Sequence, residues 1–125
     1  GETRLAVGGR SMGGRIASMV LARGAAADAL ALFAYPLHPP GKPDQLRADH
    51  LASIKVPALF VSGTRDAFAS PDELRAATKS LKRSKLHLLD GADHGFAVPK
   101  SSGRTRDDVW AEAVAAFTAW LATIK

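Results

Sequence analysis

The sequence contains no cysteine, which excludes disulfides, thiolate nucleophiles and thiolate metal sites. It has no apolar run long enough to cross a bilayer. Its first residues lack the basic segment followed by an apolar one that marks a signal peptide. Aromatic residues make up only 6% of the 125, and they do not interleave with basic side chains as single-stranded nucleic acid binding prefers. Concentrated charge is scarce too. The net charge is +5 but scattered, and the one dense run is Lys79–Lys85, which reads as the solvated end of a helix where cations suit the macrodipole. No two histidines show ligand spacing, so no metal and no cofactor are expected. These absences point to a cytoplasmic protein that binds neither nucleic acid nor membrane. Gly1 is not an initiator methionine, so a processed chain or a piece of a longer one is expected.

What is present suits one α/β domain spanning residues 1–125. Apolar residues make up 46% and charged residues 23%, ordinary globular proportions with enough apolar mass for one modest core. Short apolar runs read as buried strands over Thr3–Val7, Ala29–Tyr35, Val56–Gly63 and Lys85–Gly91. Helical patterns fill the gaps. Met12–Arg23 places Ile16, Met19 and Val20 on one face, and Gly24 stops it. Pro43–Ile54 reads as a short helix. Ser70–Leu81 starts with a capping box, with Ser70 as cap, Pro71 in the first turn and Glu73 three residues on. The last helix repeats Trp110, Val114, Phe117 and Leu121. Short strands alternating with amphipathic helices predict a four-stranded parallel sheet covered on both faces.

In such sheets, sites form beyond the carboxyl ends of the strands. That rim collects Ser11 after the first strand, His38 and the proline loop Pro36–Pro43 after the second, Arg65 and Asp66 after the third, and Asp90, Asp93 and His94 after the fourth. Gly9–Gly13 reads Gly-Arg-Ser-Met-Gly and matches G-x-S-x-G between a strand and a helix. On such a turn the serine takes a strained backbone so that its hydroxyl projects, Gly9 and Gly13 remove side chains that would collide, and the helix N-terminus favours a developing oxyanion. Asp66 is the candidate acid, because Ser70 already caps the next helix. His94 is the candidate base, in a loop bracketed by Gly91 and Gly95. Asp90 and Asp93, so near His94 in sequence, suit turn formation better.

These residues together resemble the α/β-hydrolase superfamily, with serine, acid and histidine in that family's chain order. Val56–Phe68 looks like its acid-bearing strand and loop, and Leu88–Phe96 looks like its histidine loop. The nearest resemblance is to small dienelactone-hydrolase-like proteins, beginning at the nucleophile strand and covering the carboxyl-terminal half of the fold. It implies a serine hydrolase of esterase type acting on a small ester or lactone. Ser11 would be nucleophile, His94 base and Asp66 its orienting acid, with the Met12 N–H in the oxyanion hole and Leu37 and His38 lining the pocket. In the family, several strands precede the nucleophile strand, and one of their loops supplies the second oxyanion donor. The Thr3–Val7 edge is therefore expected to pair, either with a second copy of the chain or with a separate amino-terminal fragment. The alternatives are a non-catalytic scaffold that kept the motifs and a basic nucleic-acid-associated domain.

Overall fold

The computed structural model describes residues 4–124. Among the described residues are four strands, β1 (Ala6–Arg10), β2 (Ala29–Phe33), β3 (Ala58–Gly63) and β4 (Ser84–Leu89), and three α-helices, α1 (Met12–Ala22), α2 (Pro71–Thr78) and α3 (Arg106–Ala122). The strands form one parallel sheet in sequence order.

Side-chain alternation along the strands sorts the core into two layers. Ala29 and Ala31 of β2, with Leu59 and Val61 of β3, face α3 and meet Val109, Ala113 and Trp120. Leu30, Leu32, Ala58 and Phe60 point to the opposite face, where they meet Leu51, Leu74 and the partly buried Ala17 and Leu21. The alanines of β2 leave room for the large rings on the α3 side, and its leucines fill the side covered by α1 and α2. Helix α2 starts with the capping box read from the sequence: Ser70 Oγ accepts from the Glu73 N–H, and the Glu73 carboxylate accepts from the Ser70 N–H.

Four local expectations need correction. The first strand does not end at its glycines. It runs through them in parallel register with β2, from Ala6 opposite Ala29 to Arg10 opposite Phe33; Thr3 lies outside the described residues. Gly8 belongs in the ladder because a Cβ there would strike the Ala31 carbonyl. The expected helix over Pro43–Ile54 is only a 3-10 turn at Asp49–Ser53. Successive turns, Lys42 N–H to Pro39 O and Gln45 N–H to Lys42 O, carry the chain there instead, and Leu46 is exposed. Helix α1 buries Gly14 and Ser18 rather than Ile16 and Val20. Helix α3 is rotated from its expected stripe: Val109, Ala113 and Trp120 are buried, while Val114 and Leu121 are exposed.

The α1 correction has a spatial meaning. Strand β1 is an edge of the sheet. Leu5, just before it, is 53% exposed, and Met12, Ile16 and Val20 of α1 are 47%, 54% and 51% exposed. The last three recur every fourth residue and form one apolar stripe along the helix. The face that amphipathic patterning would bury is thus exposed, on the helix that follows β1, a strand with one neighbour among the described residues.

Candidate active site

Ser11 is the single residue between the last residue of β1 and the first of α1. Its backbone lies at φ 54°, ψ −122°, a region costly for a residue with a Cβ by about 1–3 kcal/mol. Its N–H donates to the Phe33 carbonyl at 2.7 Å, which ties the turn to β2. Close approach of strand and helix backbones sets the rest of the turn. A Cβ on Gly9 would lie 2.6 Å from the Gly13 carbonyl carbon and 2.7 Å from the Gly14 nitrogen, and one on Gly14 would lie 2.7 Å from the Gly9 oxygen. A Cβ on Gly13 would meet nothing within 4 Å. The steric requirement is thus met by Gly9 and Gly14, not by Gly9 and Gly13. Gly9→Ala is expected to lose about 1–3 kcal/mol of stability through overpacking. Gly13→Ala, in an open helical position, is expected to be neutral or stabilising by up to about 1 kcal/mol. Urea unfolding of the two variants separates these outcomes.

The structure brings Ser11, His94 and Asp66 into one hydrogen-bonded chain. Ser11 Oγ lies 2.7 Å from His94 Nε2, and His94 Nδ1 lies 2.8 Å from Asp66 Oδ2. The other carboxylate oxygen accepts the Phe68 N–H at 2.7 Å. The Asp66 side chain is fully buried and that of His94 is 22% exposed. A carboxylate only accepts, so Nδ1 carries the proton and Nε2 presents its lone pair to the serine hydroxyl. An imidazole in this tautomer can take the Ser11 proton. Asp93 serves the turn instead: its Oδ1 accepts the Gly95 and Ala97 N–H groups, each at 2.9 Å.

Two side chains that hold His94 escaped the sequence reading. The Phe68 ring stacks on the imidazole at a centroid distance of 4.1 Å and 30°. Arg10 Nη2 donates to the His94 carbonyl at 3.1 Å. The signal for Phe68 was its place two residues after the acid; that for Arg10 was its place two residues before Met12, inside the serine motif. Arg106 Nη2 also approaches, 3.9 Å from where a Cβ on Gly95 would sit, with the Asp93 carboxylate at 3.7 Å from the same point.

Met12 opens α1 with its side chain exposed, and its N–H belongs to the first turn, where helix donors have no intrahelical partner. The two residues expected to line a pocket sit elsewhere. Leu37 is fully buried among Tyr35, Leu51 and Phe60. His38 is 5% exposed, and both its ring nitrogens are engaged, Nδ1 with the Pro39 carbonyl and Nε2 with Glu73 Oε1, each at 2.8 Å. The prolines fold this loop inward against the 3-10 turn and α2, so neither side chain is open to a ligand.

A second serine–histidine contact shows why distance alone does not define a site. Ser18 Oγ lies 2.7 Å from His50 Nε2, but its hydroxyl also donates to the Arg15 carbonyl at 2.7 Å. With its one proton spent there, Ser18 accepts from Nε2–H, the reverse of the arrangement at His94. Ser18 is fully buried. Desolvation first, then the nearby Arg15, lowers the His50 pKa, while Asp49 opposes them. A depressed histidine contributes stability that is full above its unfolded value, about 6.5, and is lost as pH falls through the folded value. His50→Gln is therefore expected to flatten the decline of urea stability below about pH 6.5. No helix among the described residues is long and apolar enough to cross a membrane.

A family model described as an alpha/beta hydrolase domain matches residues 1–122. Among solved structures, the chain is similar to the esterase domain of a Rhodothermus marinus protein, at 15% identity over 93% of this chain and 60% of that one, with a TM-score of 0.69. It is similar to Est1E from Butyrivibrio proteoclasticus, at 16% identity over 93% of this chain and 62% of that one, with a TM-score of 0.62. A third likeness is to an alpha-beta serine hydrolase homologue from Coxiella burnetii, at 20% identity over 73% of this chain and 41% of that one, with a TM-score of 0.56. The chain thus spans less than two thirds of the length of each, and at these identities the likeness is one of fold.

Proposed function

The chain belongs to the alpha/beta hydrolase family, and from that premise we propose that it is a serine hydrolase of esterase type, acting on a small ester or lactone, or the catalytic half of one. The observation that carries the reading is the chain Ser11 Oγ, His94, Asp66, with Ser11 at positive φ on the turn between strand and helix. Ser11 attacks the acyl carbon as His94 Nε2 takes its proton. Asp66, hydrogen-bonded to Nδ1, holds the ring in the productive tautomer and stabilises the imidazolium. The Met12 N–H, aided by the α1 dipole, faces the developing oxyanion. The imidazolium then protonates the departing alkoxide, leaving an acyl-enzyme on Ser11. Water attacks that ester with His94 again as base, and the carboxylic acid leaves. No step requires a cofactor. A cytoplasmic location is part of the same proposal.

The partner is part of the same reading. The open β1 edge and the Met12–Ile16–Val20 stripe are proposed to be covered either by a separate amino-terminal segment or by a second copy of the chain. Hydrolysis of p-nitrophenyl esters of increasing acyl length, by the chain and by Ser11→Ala, tests the activity. The expected result is turnover of the short esters that Ser11→Ala lacks. Turnover unaffected by Ser11→Ala contradicts the proposal, and a scaffold would give none.

A further inference from the structure

His38 lies outside the serine–histidine–aspartate chain, yet its surroundings dictate its protonation state. Both ring nitrogens face acceptors, the Pro39 carbonyl and the Glu73 carboxylate, each at 2.8 Å. A neutral imidazole has one N–H. It would therefore satisfy one acceptor and turn a lone pair on the other. With Glu73 ionised, as the Ser70 N–H on its Oε1 favours, the arrangement that satisfies both is the imidazolium.

The same residue holds the loop that carries the acid. The His38 backbone N–H donates to the Phe68 carbonyl at 3.1 Å. The Phe68 N–H fixes one oxygen of Asp66, and the Phe68 ring stacks on His94. At the far end of this loop, Glu73 Oε1 accepts from the Ser70 N–H at 2.8 Å as well as from His38. One side chain and its own backbone thus grip the Asp66–Ser70 loop at its middle and, through Glu73, at its end. We propose that His38, as an imidazolium clamped between Pro39 and Glu73, is a positioning residue that fixes the Asp66–Ser70 loop and thereby the geometry of Asp66 and His94. This rests on the hydrolase reading above.

The charged groups that face His38 are Glu73, from α2, and Asp66, from the β3–α2 loop. The bond to the Pro39 carbonyl raises the His38 pKa, desolvation opposes it, and Glu73 and Asp66 raise it further. On Glu73, burial opposes ionisation, but the bonds from Ser70 and His38 outweigh it and lower its pKa. A raised histidine pKa makes the clamp complete below the unfolded value of about 6.5 and releases it as pH rises through the folded value. Reactivity should therefore fall on an alkaline limb that belongs to His38.

The experiment is the pH profile of Ser11 reaction with a fluorophosphonate in the full chain and in His38→Ala, His38→Gln and Glu73→Gln, beside the ring-nitrogen NMR signals of His38. Wild type should show both His38 nitrogens protonated near pH 6 and a rate that falls on the alkaline side. His38→Ala should lose about 10- to 100-fold in the reaction rate constant, the scale of a displaced catalytic group, with substrate KM within about twofold. His38→Gln, which keeps a donor toward Glu73 at every pH, should recover part of the rate and lack the alkaline limb. Glu73→Gln should move that limb to lower pH. A His38 ring with only one protonated nitrogen near pH 6 overturns the proposal. So does an alkaline limb unchanged in His38→Gln, a variant that stands in should His38→Ala fail to fold. A wild type that never labels at Ser11 overturns the hydrolase reading, and the positioning role with it, whatever the state of the ring.

Discussion

Replacing Asp66 by asparagine is expected to lower ester hydrolysis by about 10⁴-fold while leaving the fold intact. The reason is the wiring of the carboxylate. One oxygen accepts the Phe68 N–H and the other accepts from His94 Nδ1. In the asparagine the carbonyl oxygen must remain toward Phe68, because only it can accept that N–H. The amide NH₂ then faces Nδ1 and forces the proton onto Nε2. An imidazole with Nε2 protonated cannot take the Ser11 proton. His94→Gln should cost at least as much, and combining it with Ser11→Ala should add almost nothing, since groups that act as a unit are not additive. His50→Gln is the control: its histidine donates to Ser18 and touches no reacting atom, so hydrolysis should stay within about twofold. Steady-state kinetics with circular dichroism check all four. A loss of less than about tenfold in Asp66→Asn contradicts the assigned tautomer.

The second large effect concerns the edge of the sheet. On the proposed covering of β1, supplying an amino-terminal segment that adds strands beside it is expected to raise turnover by about 10²- to 10³-fold, through a second oxyanion donor beside the Met12 N–H. Leu5, Met12, Ile16 and Val20 are each about half exposed, and covering the exposed half of such side chains is worth roughly 1 kcal/mol apiece. A second copy of the chain could cover the same stripe but would bring no evident donor, so a homodimer should be a poor esterase. Sedimentation beside the ester assay distinguishes the cases. Ile16→Lys with Val20→Lys should weaken association in both cases, since these side chains make little core contact. A monomeric chain with turnover that no added segment improves contradicts this part of the account.

Much of the fold was legible because the strands are short apolar runs and the helix starts carry their own chemistry, as in the Ser70–Glu73 capping box. The strand ends were less legible. Glycine usually punctuates a strand, but Gly8 and Gly9 lie inside β1 because the backbones of β2 and α1 approach too closely for a side chain. The burial of α1 was misread for a related reason. Its large apolar Met12, Ile16 and Val20 are exposed, and its small Gly14 and Ser18 are buried. The site divides in the same way. Ser11, Asp66 and His94 could be placed on one rim because each follows a strand in a parallel sheet. Phe68, Arg10 and the His38–Glu73 clamp could not. Their roles come from contacts made across the fold, such as the stacking of Phe68 on His94, 26 residues on; position beside the motifs marks Phe68 and Arg10 but does not show what they touch.

The most direct test is to treat the chain with a fluorophosphonate at neutral pH and locate the adduct by peptide mass spectrometry. An activated serine loses its proton to the histidine and displaces fluoride from phosphorus, leaving a stable phosphonyl ester. The account predicts one adduct, on Ser11, abolished in Ser11→Ala and strongly slowed in His94→Gln, with Ser18 unmodified. No adduct, or one that forms on Ser11 equally fast without His94, would contradict the claim that this histidine activates this serine.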